Sequence, residues 1–314
     1  MITKILITMF MAGLFFGCAS TPPPAAELTP LEILRQRLVD NLTDVPQETR
    51  DETGPVATKR ELGRRADGTV TGYEYVSILT GNVVATVIVD HTGRRALSGR
   101  IPNGLVVQHS PGGYVIAERN YNAGQLEGEV IEFDARGNAV RVADYREGKL
   151  HGLVQEFTPA GRLIEERNYR AGMLHGPART FTRDGALVRV VHYRNNERCG
   201  IVREFFPAGA VKTETSYFRG LRGGYHREFN NRGILQAEYY YARGILNGLS
   251  RFFYEEGTIH QEVRFANGVR QGDTRIFSIA NPHTPIYVDT YRNGTRVRRR
   301  AFSASGELLF SLDF

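Results

Sequence analysis

The chain has 314 residues and a formal net charge of +6, with a pI near 9.4. The excess is mostly arginine spread along the chain rather than gathered, which speaks against a dedicated nucleic-acid site and for a mildly anionic partner or none. Two cysteines exclude a disulfide framework and a cysteine-rich metal site.

The opening MITKILITMFMAGLFFGCAS has one cation, Lys4, an apolar run over 5–16 and then Gly17-Cys18. It is too short for a comfortable membrane span and reads as a secretion signal over 1–17. Its end, Leu14-Phe15-Phe16-Gly17-Cys18, resembles a bacterial lipoprotein signal, in which the cysteine thiol is acylated before cleavage. Leu14 stands one place earlier than in that pattern, and Phe15 and Phe16 are bulky. An ordinary signal peptide with an incidental cysteine is the other reading. Ala19 follows rather than aspartate, which in enterobacteria-like sorting implies an outer-membrane lipoprotein, periplasmic or surface-facing. If Cys18 is acylated, Cys199 has no partner in the chain.

Residues 18–27 form a proline-rich linker that would hold the body off a membrane. Thr29-Pro30-Leu31-Glu32 then has the form of a capping box with proline at the first helical position, and Leu31, Leu34, Leu38 and Leu42 recur at helical spacing. A short amphipathic helix is expected within 28–44, packed as a cap on the end of the repeats. Residues 44–54 read as loop.

Beyond this loop the chain repeats itself every 24 residues. Tyr121, Tyr145, Tyr169, Tyr193, Tyr217, Tyr241 and Phe265 open successive units, and seven places on stand Gly128, Gly152, Gly176, Gly200, Gly224, Gly248 and Gly272. Each unit carries phenylalanine at its thirteenth place, from Phe133 to Phe277, and another glycine four places later from Gly137 to Gly257. Regular repeats are assigned to 121–290, degenerate repeats or a cap to 55–120, and a capping repeat to 291–314. Terminal units must differ because they close an open sheet edge.

Turn chemistry fixes the local fold. Pro159-Ala160-Gly161, Pro207-Ala208-Gly209 and Arg183-Asp184-Gly185 suit a type I turn followed by glycine in the left-handed region, a three-residue hairpin loop. That loop predicts Phe157 opposite Leu163, Phe181 opposite Leu187, Phe205 opposite Val211 and Phe229 opposite Leu235. A longer glycine loop such as Gly148-Lys149-Leu150-His151-Gly152 is expected between hairpins. The fold class is therefore all-β: an elongated, solenoid-like antiparallel meander advancing about 10 Å per unit, preceded by the short helix.

The pattern Tyr-x-x-Gly-x-Leu-x-Gly, then Phe, then Gly-x-Leu, resembles the MORN repeat over about residues 97–314, and more narrowly the bacterial variant found in proteins labelled antitoxin components. The resemblance implies a scaffold and, by that label alone, antitoxin or immunity activity. It says little about activity, because such repeats serve as scaffolds in unrelated proteins.

The eleventh place of successive units reads Ile131, Gln155, Arg179, Arg203, Arg227, Arg251 and Arg275. Five arginines then stack as a ladder. One reading makes them a receptor for an anionic lipid or polysaccharide. The other makes them a solvated row whose heads are neutralised by Glu204, Glu228 and the series Glu166, Glu214, Glu238 and Glu262. The cluster Arg292, Arg296, Arg298, Arg299 and Arg300 lacks equally dense acidic neighbours in sequence, so it is the stronger candidate for anionic contact; a charged edge strand that blocks aggregation is the other reading. No catalytic residue, cofactor or metal site is expected: His151 and His175 stand alone in their units, and nucleophile-elbow, phosphate-loop and zinc-helix motifs are absent. The expected function is a non-enzymatic envelope scaffold for an unidentified protein, joined to the membrane through Cys18.

Overall fold

The computed structural model describes residues 55–314. The signal, Cys18, the linker and the helix expected within 28–44 lie outside the described residues. The rest is strand and turn, one long sheet that does not close.

Its regular part is set by the hairpin loop. Thr158 N donates to Arg162 O and Gly161 N to Thr158 O, both at 2.8 Å, with Gly161 at φ +75°. The residue entering the loop adds a side-chain acceptor. Thr158 Oγ1 accepts from Arg162 N, and Asp134 Oδ1 accepts from Arg136 and Asn138 N, the local bonds that favour Asp, Asn, Thr and Ser at turns. Phe157, Phe181, Phe205 and Phe229 consequently lie opposite Leu163, Leu187, Val211 and Leu235, as the loop length requires. A one-residue bulge follows each pair, for instance at Ile164.

The second connection differs from the expected glycine loop. Arg146 pairs with Lys149, and only Glu147 and Gly148 lie between them, at φ +49° and +71°, as in a type I′ turn. Lys149–Phe157 is already strand, bent at Gly152, where φ is +107° and a Cβ would come within 2.8 Å of the Asp144 carboxylate. The two glycines thus have separate tasks, one closing a turn and the other kinking a strand. The turns also stack along the array. Gly148 N donates to Leu126 O, Gly172 N to Leu150 O, Gly220 N to Arg198 O and Gly244 N to Arg222 O, at 2.7–3.0 Å.

The N-terminal end runs the other way. Strands β1 (Ala57–Arg64), β2 (Val70–Ser77), β3 (Val83–Val89) and β4 (Arg95–Gly99) form an antiparallel meander. The chain then returns so that β5 (Gly104–His109) lies parallel to β1, with Ala57 beside Val106, and β6 (Val115–Asn122) starts the array on the far side. Ile101, in the returning segment, is buried against Ala57, Tyr75, Ala85, Val106 and Tyr121. Further along, one face is lined by small buried residues in cross-strand pairs, such as Val130 with Ala143 and Ala178 with Val191.

The 26-residue unit is absorbed locally. Ser278 pairs with Asn281 and Phe277 with Pro285, so the residues between bulge out. Among the described residues the last strand, Leu308–Asp313, pairs only with Thr295–Phe302, and it is exposed throughout.

Candidate functional site

Cross-strand register places every ladder arginine beside a carboxylate. Arg203 Nε lies 2.7 Å from Glu214 and Arg227 Nε 2.7 Å from Glu238. Arg251 bridges Glu238 at 3.3 Å and Glu262 at 3.2 Å, Arg275 reaches Glu262 at 3.3 Å, and Arg179 pairs with Glu166. The four glutamates are only 10–22% exposed. This is a zipper along one face. Glu204 and Glu228 take no part: each lies one residue along its strand from a ladder arginine and so faces the other way. Glu204 meets Arg189 instead, and Glu228 meets His226.

The terminal cluster is paired as well, which corrects the expectation from sequence neighbours. Arg299 holds Asp289 through Nε and Nη2, both at 2.7 Å, and Arg296 reaches the same carboxylate at 3.5 Å. Arg300 pairs with Asp273 at 3.0 Å and Arg298 with Asp313 at 2.5 Å. These partners stand up to 27 residues away along the chain. Asp289 is buried at 2% exposure. Burial opposes its charge most strongly, but the hydrogen bonds and charges of Arg299 and Arg296 outweigh it and hold the carboxyl below the ordinary range. Arg292, also named in the sequence cluster, is exposed and belongs to the last type I′ turn.

Two half-buried side chains stand apart from the pairing pattern. His226 occupies the place held by Val130, Val154, Ala178 and Val202 in earlier units. Its Nδ1 lies 2.7 Å from Thr215 Oγ1 and its Nε2 3.1 Å from Glu228, while the ring packs on Tyr239 and Tyr241. Lys59 on β1 has Nζ 3.9 Å over the Tyr73 ring and makes no ion pair among the described residues. Burial first, then Arg119 and Arg95, lower its pKa to about 8 against the pull of Glu61. Sequence reasoning missed both. The substitution at place ten of the repeat was the available signal for His226.

His151 and His175 remain apart, and His175 Nδ1 faces Asn195 Oδ1 at 3.3 Å. Among the described residues no group of three or more His, Cys, Asp or Glu is arranged to hold a metal ion. Cys199 is half-buried.

The row of type I′ turns forms a different surface. Leu221, Ile245 and Val269 follow the turn in three successive units and are 53%, 51% and 45% exposed. The turn of the next unit abuts each of the first two: a Cβ on Gly244 would lie 3.8 Å from Leu221, and on Gly268 3.8 Å from Ile245. Phe218, 68% exposed, flanks the row. Arg222 and Arg270 donate toward the Tyr241 and Tyr291 hydroxyls, at 3.4 and 3.2 Å, with the guanidinium 5.3 Å from the ring centroid.

A family model described as a MORN repeat variant matches residues 246–267. No curated protein matches the chain. Among solved structures, a crystal structure of TcdB2-TccC3 aligns with 76% of this chain at 10% identity and a TM-score of 0.18. The same assembly without its hypervariable C-terminal region aligns with 78% at 12% identity and a TM-score of 0.19. A Photorhabdus luminescens Tc holotoxin pore carrying a TccC3 mutation aligns with 74% at 11% identity and a TM-score of 0.17. This chain spans 15%, 14% and 16% of those chains. The matched segment 246–267 corresponds to one hairpin of the array, the strands Gly248–Phe253 and Ile259–Ala266 with their loop. The chain therefore carries a MORN repeat variant at residues 246–267.

Proposed function

We propose that the protein is a non-enzymatic scaffold of the bacterial cell envelope, held to a membrane by a lipid on Cys18, that presents its repeat sheet to a protein partner. The observation that carries this reading is the pairing of all nine arginines first singled out for anionic contact. Arg179, Arg203, Arg227, Arg251, Arg275, Arg296, Arg298, Arg299 and Arg300 each face a carboxylate of the same chain. An anionic lipid or glycan would have to displace those partners, and the glutamates it uncovered would be left poorly solvated. A MORN repeat suggests a scaffold for protein interaction, and the period accounts for most residues through folding, which fits a platform better than an active site.

The test is a crosslinked pull-down from the native envelope, with wild type beside a variant in which Arg179, Arg203, Arg227, Arg251 and Arg275 are all glutamine. Recovery of one protein by both is the expected result. Lipid or glycan recovered by wild type and lost in the variant would replace this reading with the anionic-surface one. For the anchor, Cys18→Ala should abolish incorporation of labelled palmitate, and unchanged labelling would sink it.

A further inference from the structure

The turn row contrasts with every other charged surface of the array. Four successive turn segments, YFRGLRGG from Tyr217, YARGILNG from Tyr241, FANGVRQG from Phe265 and YRNGTRV from Tyr291, contain no aspartate or glutamate. Arg219, Arg222, Arg243 and Arg270 are exposed there, and among the described residues none takes part in an ion pair. Over these four turns cations and protruding aliphatic side chains occupy one edge together, and the exposed Glu197 of the preceding turn, beside Gly220, marks where the carboxylate-free stretch begins.

Spacing identifies what would fit. Successive turns are two strands apart, about 10 Å, and one heptad of α-helix rises about 10.5 Å. A helix laid along the edge therefore meets Leu221, Ile245 and Val269 with side chains seven residues apart. Arg219 and Arg243 lie at the turn corners before the row, and Arg222 and Arg270 directly after it. An apolar row one residue wide between two lines of cations calls for an apolar seam flanked by carboxylates. The tyrosine hydroxyls and rings that orient Arg222 and Arg270 favour carboxylates held at fixed spacing over a fluid lipid surface.

We infer that the type I′ turn edge from Leu221 to Val269 is a docking surface for an acidic amphipathic helix of a partner protein. This rests on the scaffold reading above and specifies where the partner lies and what chemistry it presents.

The probe is a labelled three-heptad peptide with leucine at positions a and d and glutamate at e and g, read by fluorescence anisotropy against the full chain. A control peptide has lysine at e and g. Phosphatidylglycerol–phosphatidylethanolamine vesicles are the third arm. Wild type should bind the acidic peptide and not the basic one, and binding should weaken with added salt. Leu221→Ser, Ile245→Ser and Val269→Ser combined should weaken it at least tenfold with the thermal midpoint unchanged. Equal binding by wild type and the triple variant, or of both peptides, would overturn the proposal, as would no acidic-peptide binding. Vesicle binding lost in the triple variant without peptide binding would assign the edge to lipid and overturn it too. A further variant with Leu31, Leu34, Leu38 and Leu42 changed to serine covers self-occupancy. If only that variant takes up the peptide, the edge belongs to the chain's own N-terminal segment and not to a partner. The envelope pull-down separates the two readings: a partner recovered equally by wild type and triple variant keeps the scaffold and removes this surface, whereas no partner from either removes the scaffold.

Discussion

On the strands, Arg203 lies 2.7 Å from Glu214 and Arg227 2.7 Å from Glu238; at the turns, Arg219 and Arg243 stand exposed with no ion pair among the described residues. The difference is one of register. A strand position repeats against the same cross-strand position in every unit, so a glutamate series at place twenty-two neutralises an arginine series at place eleven. A turn position stacks on the turn of the next unit, with no acidic series repeating opposite it. Periodic arginine on a sheet is thus a structural device wherever its cross-strand partner is acidic, and arginine at the turns is free for other work.

The largest expected effect tests the strand half of that contrast. Asp289→Asn leaves Arg299 and Arg296 without their buried carboxylate and should cost about 2–3 kcal/mol, below the full price of a broken buried pair because Arg299 keeps partial access to water. The folded carboxyl lies below its unfolded value, so its contribution is present above the unfolded pKa near 4 and is lost as pH falls through the folded one. Urea unfolding of wild type should weaken below about pH 4, and the variant should show a shallower fall. A loss below about 0.5 kcal/mol would mean the terminal cluster is solvated rather than structural.

Lys59 sharpens the comparison as a strand cation without an ion pair among the described residues. Its folded pKa near 8 is below the ordinary 10.5, so the cost of burying the charged form is full below pH 8 and shrinks as pH rises toward 10.5. Lys59→Met should stabilise the protein at pH 7 by about 1 kcal/mol, a value discounted because the side chain is only half-buried. The advantage should vanish above about pH 10. A destabilised variant at pH 7 would show that the ammonium's seat over Tyr73 outweighs its desolvation.

On the turn half, stability and binding should part company. Leu221→Ser, Ile245→Ser and Val269→Ser act on exposed side chains, so each should change unfolding free energy by less than about 0.5 kcal/mol. A larger loss would mean that contacts such as Leu221 with the Gly244 turn hold the stack together.

Much of this was legible in the sequence because loop chemistry and side-chain period agree. Pro159-Ala160-Gly161 set the loop length, and the loop length set Phe157 against Leu163. The type I′ turn was not legible at Glu147-Gly148, where the first corner carries a residue atypical of that turn; Asn267-Gly268 and Asn293-Gly294 carried the signal. The reversal at β1 was hidden for another reason. Gly72 and Gly81 keep the nine-residue spacing of the repeat, yet Gly72 is in mid-strand without a positive φ and Gly81 closes a turn. The partners of the terminal arginines were missed because pairing in a stacked array follows register across units, not proximity along the chain.

The smallest expected effect bears most directly on why the turns hold arginine. The first turn corner has φ near +50° in every unit, and Asn195, Asn267 and Asn293 fill it with the side chain that tolerates this conformation best after glycine. Arg219 and Arg243 occupy the same corner at φ +49° and +50°, against local preference. Arg219→Asn and Arg243→Asn should therefore raise stability, by about 0.5 kcal/mol each, measured as urea midpoints at constant m. The same variants should bind the acidic helix more weakly. Stability gained with affinity lost is the signature of a residue kept for a surface rather than for the fold. A drop in stability would instead credit the contact of Arg219 with the Phe218 ring, 5.4 Å away, and return the turn arginines to the structural class of the ladder.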